Sequence, residues 1–215
     1  MSHDGLMVGV SGIRGRVGEA LTPEVVATYA AAFGAWALSK GGSRQVVVGR
    51  DSRVSGPMFH RVVVSALQSV GANVIDIGLT TTPTCQLAVE DHHAAGGLMI
   101  SASHNPIEWN ALKFIGPTGL FLENAEGIEM RSLVERGIRR AQWHELGRIE
   151  IDDRAASRHI ERVLAIPYLD VEGIRKRKFH VALDCVHGAG VVIMPELLDR
   201  LGCRVTSANM EPDGR

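Results

Sequence analysis

No stretch of this 215-residue sequence holds the roughly 18 consecutive apolar residues of a membrane span. The N-terminus, Met1-Ser2-His3-Asp4-Gly5, has no basic region leading into an apolar run, so a secretory signal is not expected. Cysteine is scarce. Cys85, Cys185 and Cys203 are an odd number with no C-x-x-C pair, which argues against a disulfide framework and a zinc knuckle. Three buried thiols in a reducing cytoplasm are the expectation. Charge of one sign is also missing: 23 Lys and Arg against 24 Asp and Glu leave a net −1, which removes the electrostatic case for nucleic acid as the partner. No G-x-x-x-x-G-K-[ST] run occurs, which excludes a P-loop.

What is present is a core-forming chain, 45% apolar with 22% charged residues, long enough for one large domain or a domain and part of another. Its segments alternate. Thr22-Pro23-Glu24 opens a helix that should run through Val25 to Lys40 and stop at Gly41-Gly42. Val46-Val47-Val48 reads as a strand, Pro57 to Val70 as a helix, and Val74 to Gly78 as a strand. Thr82-Pro83 should cap a helix to about His92, followed by the strand Gly97 to Ser101. Short loops between apolar strands and helices mark a layered α/β fold with strands buried on both faces.

Lys113-Phe114-Ile115 and Leu120-Phe121-Leu122, around Gly116-Pro117-Thr118-Gly119, suggest a hairpin, and Ala125 to Arg140 a further helix. Residues 142–155 are polar and aperiodic, so a domain boundary is placed there. Residues 1–150 then form a first α/β/α domain. Residues 155–215, with a helix over 155–165, a strand over 179–184, a Gly-rich helix entry at 188–190 and a strand from Arg204, form the beginning of a second.

The chemistry concentrates in loops. Ser101-Ala102-Ser103-His104-Asn105-Pro106 directly follows an apolar strand, where open α/β sheets place ligands. Ser103 offers an oxygen nucleophile, and His104 and Asn105 offer donors for charge on that oxygen or on a group attached to it. A serine hydrolase is disfavoured, because adjacent Ser and His side chains diverge and no G-x-S-x-G elbow surrounds Ser103. Gly9-Val10-Ser11-Gly12-Ile13-Arg14-Gly15 has G-x-x-G-x-x-G spacing without a following helix; it reads as a solvated turn or as a turn holding Arg14 beside an anion. Lys113 is an exposed strand-end lysine or, with its pKa lowered by neighbouring cations, an acid or base. Gly49-Arg50-Asp51-Ser52-Arg53 is an anion site or an internal Arg–Asp pair. His92-His93 lacks a third ligand and reads as a helix end, and Arg175-Lys176-Arg177-Lys178 as a solvated run.

Five loops in one order closely resemble the α-D-phosphohexomutase family: Ser11 to Gly15, Gly49 to Gly56, Thr81 to Thr84, Ser101 to Pro106 and Asp184 to Gly190. The resemblance spans nearly the whole chain, and the serine loop is its most specific part. It implies α/β/α units with a mixed sheet around a cleft, of which this chain holds the first and the start of the second. It implies that Ser103 carries the phosphoryl group, that Arg14 and Lys113 serve as cationic acid/base or charge-stabilising groups, and that His104 and Asn105 contact phosphate. The implied reaction is an isomerase-type transfer between the 1- and 6-positions of a phosphorylated hexose through a hexose bisphosphate. Mg²⁺ would be the cofactor, bound through the phosphoryl group on Ser103 and an Asp-x-Asp-x-Asp-Arg loop. No such loop occurs in the chain, so these 215 residues alone are expected to be inactive. A non-catalytic, phosphate-binding fragment of the same fold is the alternative. Two departures from the family pattern stand out: Ala111 follows Asn110 in place of Gly, and His187 replaces a common Asn. Trp109 with Asn110-Ala111 leans toward the phosphoglucosamine or phosphomannose branch.

Overall fold

The structure is a computed structural model and describes residues 5–10 and 12–214. Ser11, part of the first resembling loop, lies outside the described residues, as do Met1 to Asp4 and Arg215.

A hairpin of β1 (Met7–Val8) and β2 (Gly12–Arg16) opens the fold, with Arg14 on the second strand and not on the turn. Helix α1 (Pro23–Ser39) follows, capped by the Thr22 hydroxyl, which accepts from Val25 N. Next come β3 (Gln45–Arg50), α2 (Gly56–Gln68) and β4 (Asn73–Leu79). In α3 (Thr82–Asp91) the capping hydroxyl belongs to Thr81, one residue before the expected cap, which leaves the Thr82 hydroxyl free to face another partner. Strands β5 (Gly96–Ile100) and β6 (Trp109–Ile115) and helix α4 (Asn124–Arg136) complete this part. Helix α4 ends four residues earlier than expected, at Gly137 with φ +89°.

The seven-stranded sheet runs β1-β2-β6-β5-β3-β4-β7, where β7 is Ile149–Ile151. Strands β5, β3, β4 and β7 are parallel, while β6 is antiparallel to both β5 and β2. The expected hairpin at 113–122 is present in shortened form: β2 pairs with β6 only as far as Lys113, and beyond it Leu122 N donates to Phe114 O, Gly116 N donates to Leu120 O, and Phe121 bridges Ile115. Alternate residues serve opposite faces. Val46, Val48, Leu98, Ile100 and Phe114 pack with α1, α2 and α4 residues such as Trp36, Phe59 and Met130. Val47, Ile75, Met99 and Ile115 pack with Cys85, Ala88 and Val89 of α3. This is the expected three-layer α/β/α unit on a mixed sheet. Each fully buried large apolar side chain contributes about 1.5–3 kcal/mol, so Phe33, Trp36 and Phe59 are central supports.

Residues 142–155 are more structured than a linker. Their strand β7 extends the first sheet beside β4, and α5 (Ala155–Leu164) lies on α3, with Ala155 inside the second core cluster. A charged clasp reinforces the contact. Arg158 bridges Asp91 and Asp152, Arg162 reaches Glu90 and Asp91, and His92 bonds Asp152 at 2.8 Å. The helix read by sequence with the second unit therefore docks on the first.

Beyond it lie α6 (Val171–Arg177), β8 (His180–Asp184), a 3-10 turn (Ala189–Val192), α7 (Met194–Arg200) and β9 (Arg204–Ala208). The basic run 175–178 is the end of a short helix, closed by Lys178 at φ +49°, and it is largely solvated just before β8, as expected. The expected single helix after Gly190 is broken between the 3-10 turn and α7. Strands β8 and β9 form a separate two-stranded parallel sheet, and neither α6 nor α7 carries a buried residue. The cysteines are free; Cys85 and Cys185 are buried, but Cys203 is only half-buried because this small sheet offers too little cover.

Candidate active site

Three loops meet at the C-terminal ends of the parallel strands. The loop after β3 (51–55) is tied to β5 by Asp51 N donating to Ile100 O, and the loop after β5 by Ser101 N donating to Ala111 O of β6. The third begins α3, whose Thr82 hydroxyl lies 3.5 Å from Lys113 Nζ.

A cleft of about 440 Å³ opens over these ends, lined by Arg14, Ser103, His104, Asn105 and Lys113 together with the apolar Met7, Val8 and Phe121. All five residues singled out from the sequence thus reach one cavity. Strand register explains the convergence. Gly12 stands opposite Lys113 and Arg14 opposite Ala111, so both cations project from the same face of the β2–β6 pair. A Cβ on Gly12 would sit 2.3 Å from Leu112 O; only glycine allows β2 to approach β6 this closely.

Ser103 is exposed and has φ +55°, a left-handed conformation unusual for a residue other than glycine. Its N–H donates to the Ser101 hydroxyl at 3.1 Å. Asn105 Nδ2 donates to Ala102 O at 2.7 Å, committing one amide proton to the loop itself. Burial lowers the Lys113 pKa; Asp51 raises it and Arg53 lowers it further. The neutral amine is therefore more accessible than in a solvated lysine.

Two residues that sequence reasoning did not assign to the site brace it, Arg53 on the serine loop and Asn110 on the neighbouring loop. Arg53, 8% exposed, donates from Nη1 to Pro106 O (2.8 Å) and Trp109 O (2.9 Å), and from Nη2 to Ser103 O (2.9 Å) and Asn105 O (2.6 Å). Its Nε lies 3.4 Å from Asp51 Oδ2, so of the two readings of Gly49 to Arg53 the internal pair is the one found. Asn110, fully buried, donates to Ser55 Oγ at 2.8 Å and ties β6 to the loop after β3. The available signal was topological: loops leaving neighbouring parallel strands share one sheet end. His92 pairs with Asp152 at the end of α3, and no group of three His, Cys, Asp or Glu that could hold a metal exists among the described residues.

The fold is thus of the mixed-sheet α/β/α class, with an exposed left-handed serine sharing a cleft with two cations at the C-terminal ends of the parallel strands. Residues 5–139 match the family described as phosphoglucomutase/phosphomannomutase, alpha/beta/alpha domain I, and residues 157–215 match its alpha/beta/alpha domain II. The chain belongs to the phosphoglucomutase/phosphomannomutase family. It is 40% identical over 212 residues to the phosphoglucomutase/phosphomannomutase of Thermococcus kodakarensis, covering 98% of this chain and 46% of that protein. It is 37% identical to the phosphoglucosamine mutase of Ruegeria pomeroyi over 97% of this chain and 46% of that one. A crystal structure of a phosphoglucomutase/phosphomannomutase family protein from Burkholderia thailandensis superposes with a TM-score of 0.80 over 97% of this chain and 46% of that chain; at 23% identity it speaks to the fold alone. The chain spans about half the length of the curated relatives it matches.

Proposed function

We propose that residues 1–215 are the phosphoserine-bearing portion of a phosphohexomutase acting on a hexose phosphate. The observation that carries the reading is the placement of Ser103: an exposed hydroxyl in a strained, pre-set conformation, inside a cleft whose charged side chains, Arg14 and Lys113, are both cationic. Phosphoryl transfer depends chiefly on positioning and charge neutralisation, and this wall supplies both.

In the step we envisage, Ser103 Oγ attacks a phosphate ester of a hexose bisphosphate. The Oγ–P bond forms, the ester P–O bond breaks, and the sugar oxygen leaves. Lys113 handles the serine proton, which burial of its amine favours. Arg14 balances charge on the phosphoryl oxygens, and His104 and the remaining Asn105 amide proton contact them. Lys113 returns that proton to the departing sugar oxygen, which leaves a hexose monophosphate and phospho-Ser103. The isomerisation is complete when phospho-Ser103 passes its phosphoryl group to the free hydroxyl of an entering monophosphate, the bisphosphate so formed reorients, and Ser103 removes the other phosphate to release the isomeric monophosphate.

Mg²⁺ is the cofactor the resemblance implies, and it requires several oxygen ligands, carboxylates among them. The residues here do not supply that set. Asp51, the acid nearest Lys113 and Arg53, is committed to Arg53, and no metal-holding group exists among the described residues. The full activity, its metal and its sugar specificity thus belong in this reading to a longer protein that contains the chain. The test is a coupled assay on the full reading frame with glucose, mannose and glucosamine phosphates, each with its bisphosphate. Turnover lost in Ser103→Ala supports the reading; full turnover in that variant contradicts it.

A further inference from the structure

We infer that Arg53 is the positioning residue of the nucleophilic loop: its guanidinium is the template on which the backbone of residues 103–109 is folded, and it sets the left-handed geometry of Ser103. This rests on the phosphoserine reading for its functional meaning, but it stands on contacts of its own.

Arginine carries five N–H donors in a rigid plane and no acceptor. Here both terminal nitrogens are spent on backbone carbonyls, three of them (Ser103, Asn105 and Pro106) in the irregular segment that follows β5 and the fourth, Trp109, at the start of β6. Carbonyls in such a segment have no ladder partners, and buried ones must find donors elsewhere. A nearly buried guanidinium would ordinarily meet a carboxylate. The one beside it, Asp51, lies 3.4 Å from Nε and also accepts from the Arg53 N–H at 3.0 Å, so it aims the arginine rather than occupying its donor edge. Asp51 N in turn is pinned to Ile100 O at the end of β5. The route from rigid strand to arginine to loop is short and continuous.

The loop has reason to need such a template. Ser103, with φ +55°, is in a backbone region that persists only where the surroundings over-determine it. Its own carbonyl is one of the four that Arg53 holds. A lysine could keep the charge but not the fork: one ammonium cannot span four carbonyls from Ser103 to Trp109. Arg53 is not among the residues that line the cleft, so its role is to position the loop.

The experiment compares the 215-residue chain with Arg53→Lys, Arg53→Gln and Arg53→Ala by backbone NMR and amide hydrogen exchange. Loop amides from Ala102 to Trp109 should exchange about 100-fold faster or more in all three variants, as expected when several charge-assisted bonds are lost together. The Ser103 Cα and Cβ shifts should leave the left-handed range, while amides of 46–48 and 98–100 keep their protection. Methylguanidinium should restore the Ser103 shifts in Arg53→Ala. Unchanged loop protection in Arg53→Lys overturns the inference. So does a loss of core protection alongside the loop in every variant, which would make Arg53 a support of the whole fold. The loop readout does not require Ser103 to accept phosphate, so turnover surviving Ser103→Ala would remove the phosphoserine reading and leave the loop result as it stands.

Discussion

Lys113 and Arg14 project from one face of two adjacent antiparallel strands, because Lys113 is paired with Gly12 and Arg14 with Ala111. The two cations are a diagonal pair, with a glycine where a side chain would otherwise lie over the lysine. Their joint presence in the cleft is a property of strand register, and a one-residue slip would turn both to the other face.

Gly12 should be intolerant of even a methyl group. A Cβ there would approach Leu112 O to 2.3 Å and the Lys113 Cα to 3.2 Å, both backbone atoms that cannot rotate aside. Gly12→Ala is expected to cost about 1–3 kcal/mol, the range for overpacking, and to push β2 with Arg14 away from β6. Urea unfolding and the exchange rates of the β2 amides measure it.

Lys113 should leave a mark on stability at alkaline pH. Burial lowers its pKa in the folded chain, so the unfolded chain holds that proton more tightly. Stability relative to Lys113→Met should therefore rise as pH climbs from the lowered folded value toward the ordinary lysine value of about 10.4, and level off above it. Urea midpoints of the two chains between neutral pH and that value provide the comparison.

Helix α5 should be held to the first sheet by Asp152. Burial raises its pKa, but hydrogen bonds from Arg158 and His92 outweigh that and hold the carboxyl far below the usual carboxylate range. Asp152→Asn should cost about 2 kcal/mol at neutral pH, through hydrogen bonds to charged groups, and expose 155–164 to proteolysis. A depressed pKa contributes stability above the unfolded value of about 3.9, so the gap between the two chains should be constant there and narrow as pH falls below it. Stability curves of both proteins across that range check the sign.

The layered fold was legible because its signals are local. The Thr22-Pro23 cap, the Val46–Val48 run and Gly71 at φ +88° are each announced within a few residues. The misread parts depend on neighbours distant in sequence. Nothing in Leu112 or Lys113 says that these residues lie between β2 and β5. The docking of α5 rests on ion pairs spanning about seventy residues, invisible to periodicity. The serine loop stood out because Ser, His, Asn and Pro bear chemistry at a strand end. Arg53 could not be assigned to it, since the four carbonyls that its guanidinium binds belong to the backbone and carry no side-chain signature.

The central claim is that Ser103 carries the phosphoryl group, and the most direct measurement is where phosphate resides on the full-length protein after incubation with a hexose bisphosphate. Peptide mass spectrometry should find one phosphoryl group, on the peptide containing Ser103, with the label chased by unlabelled hexose monophosphate. The Ser103→Ala protein should carry none and should not interconvert hexose phosphates. Phosphate on another residue, or full turnover in Ser103→Ala, would contradict the account.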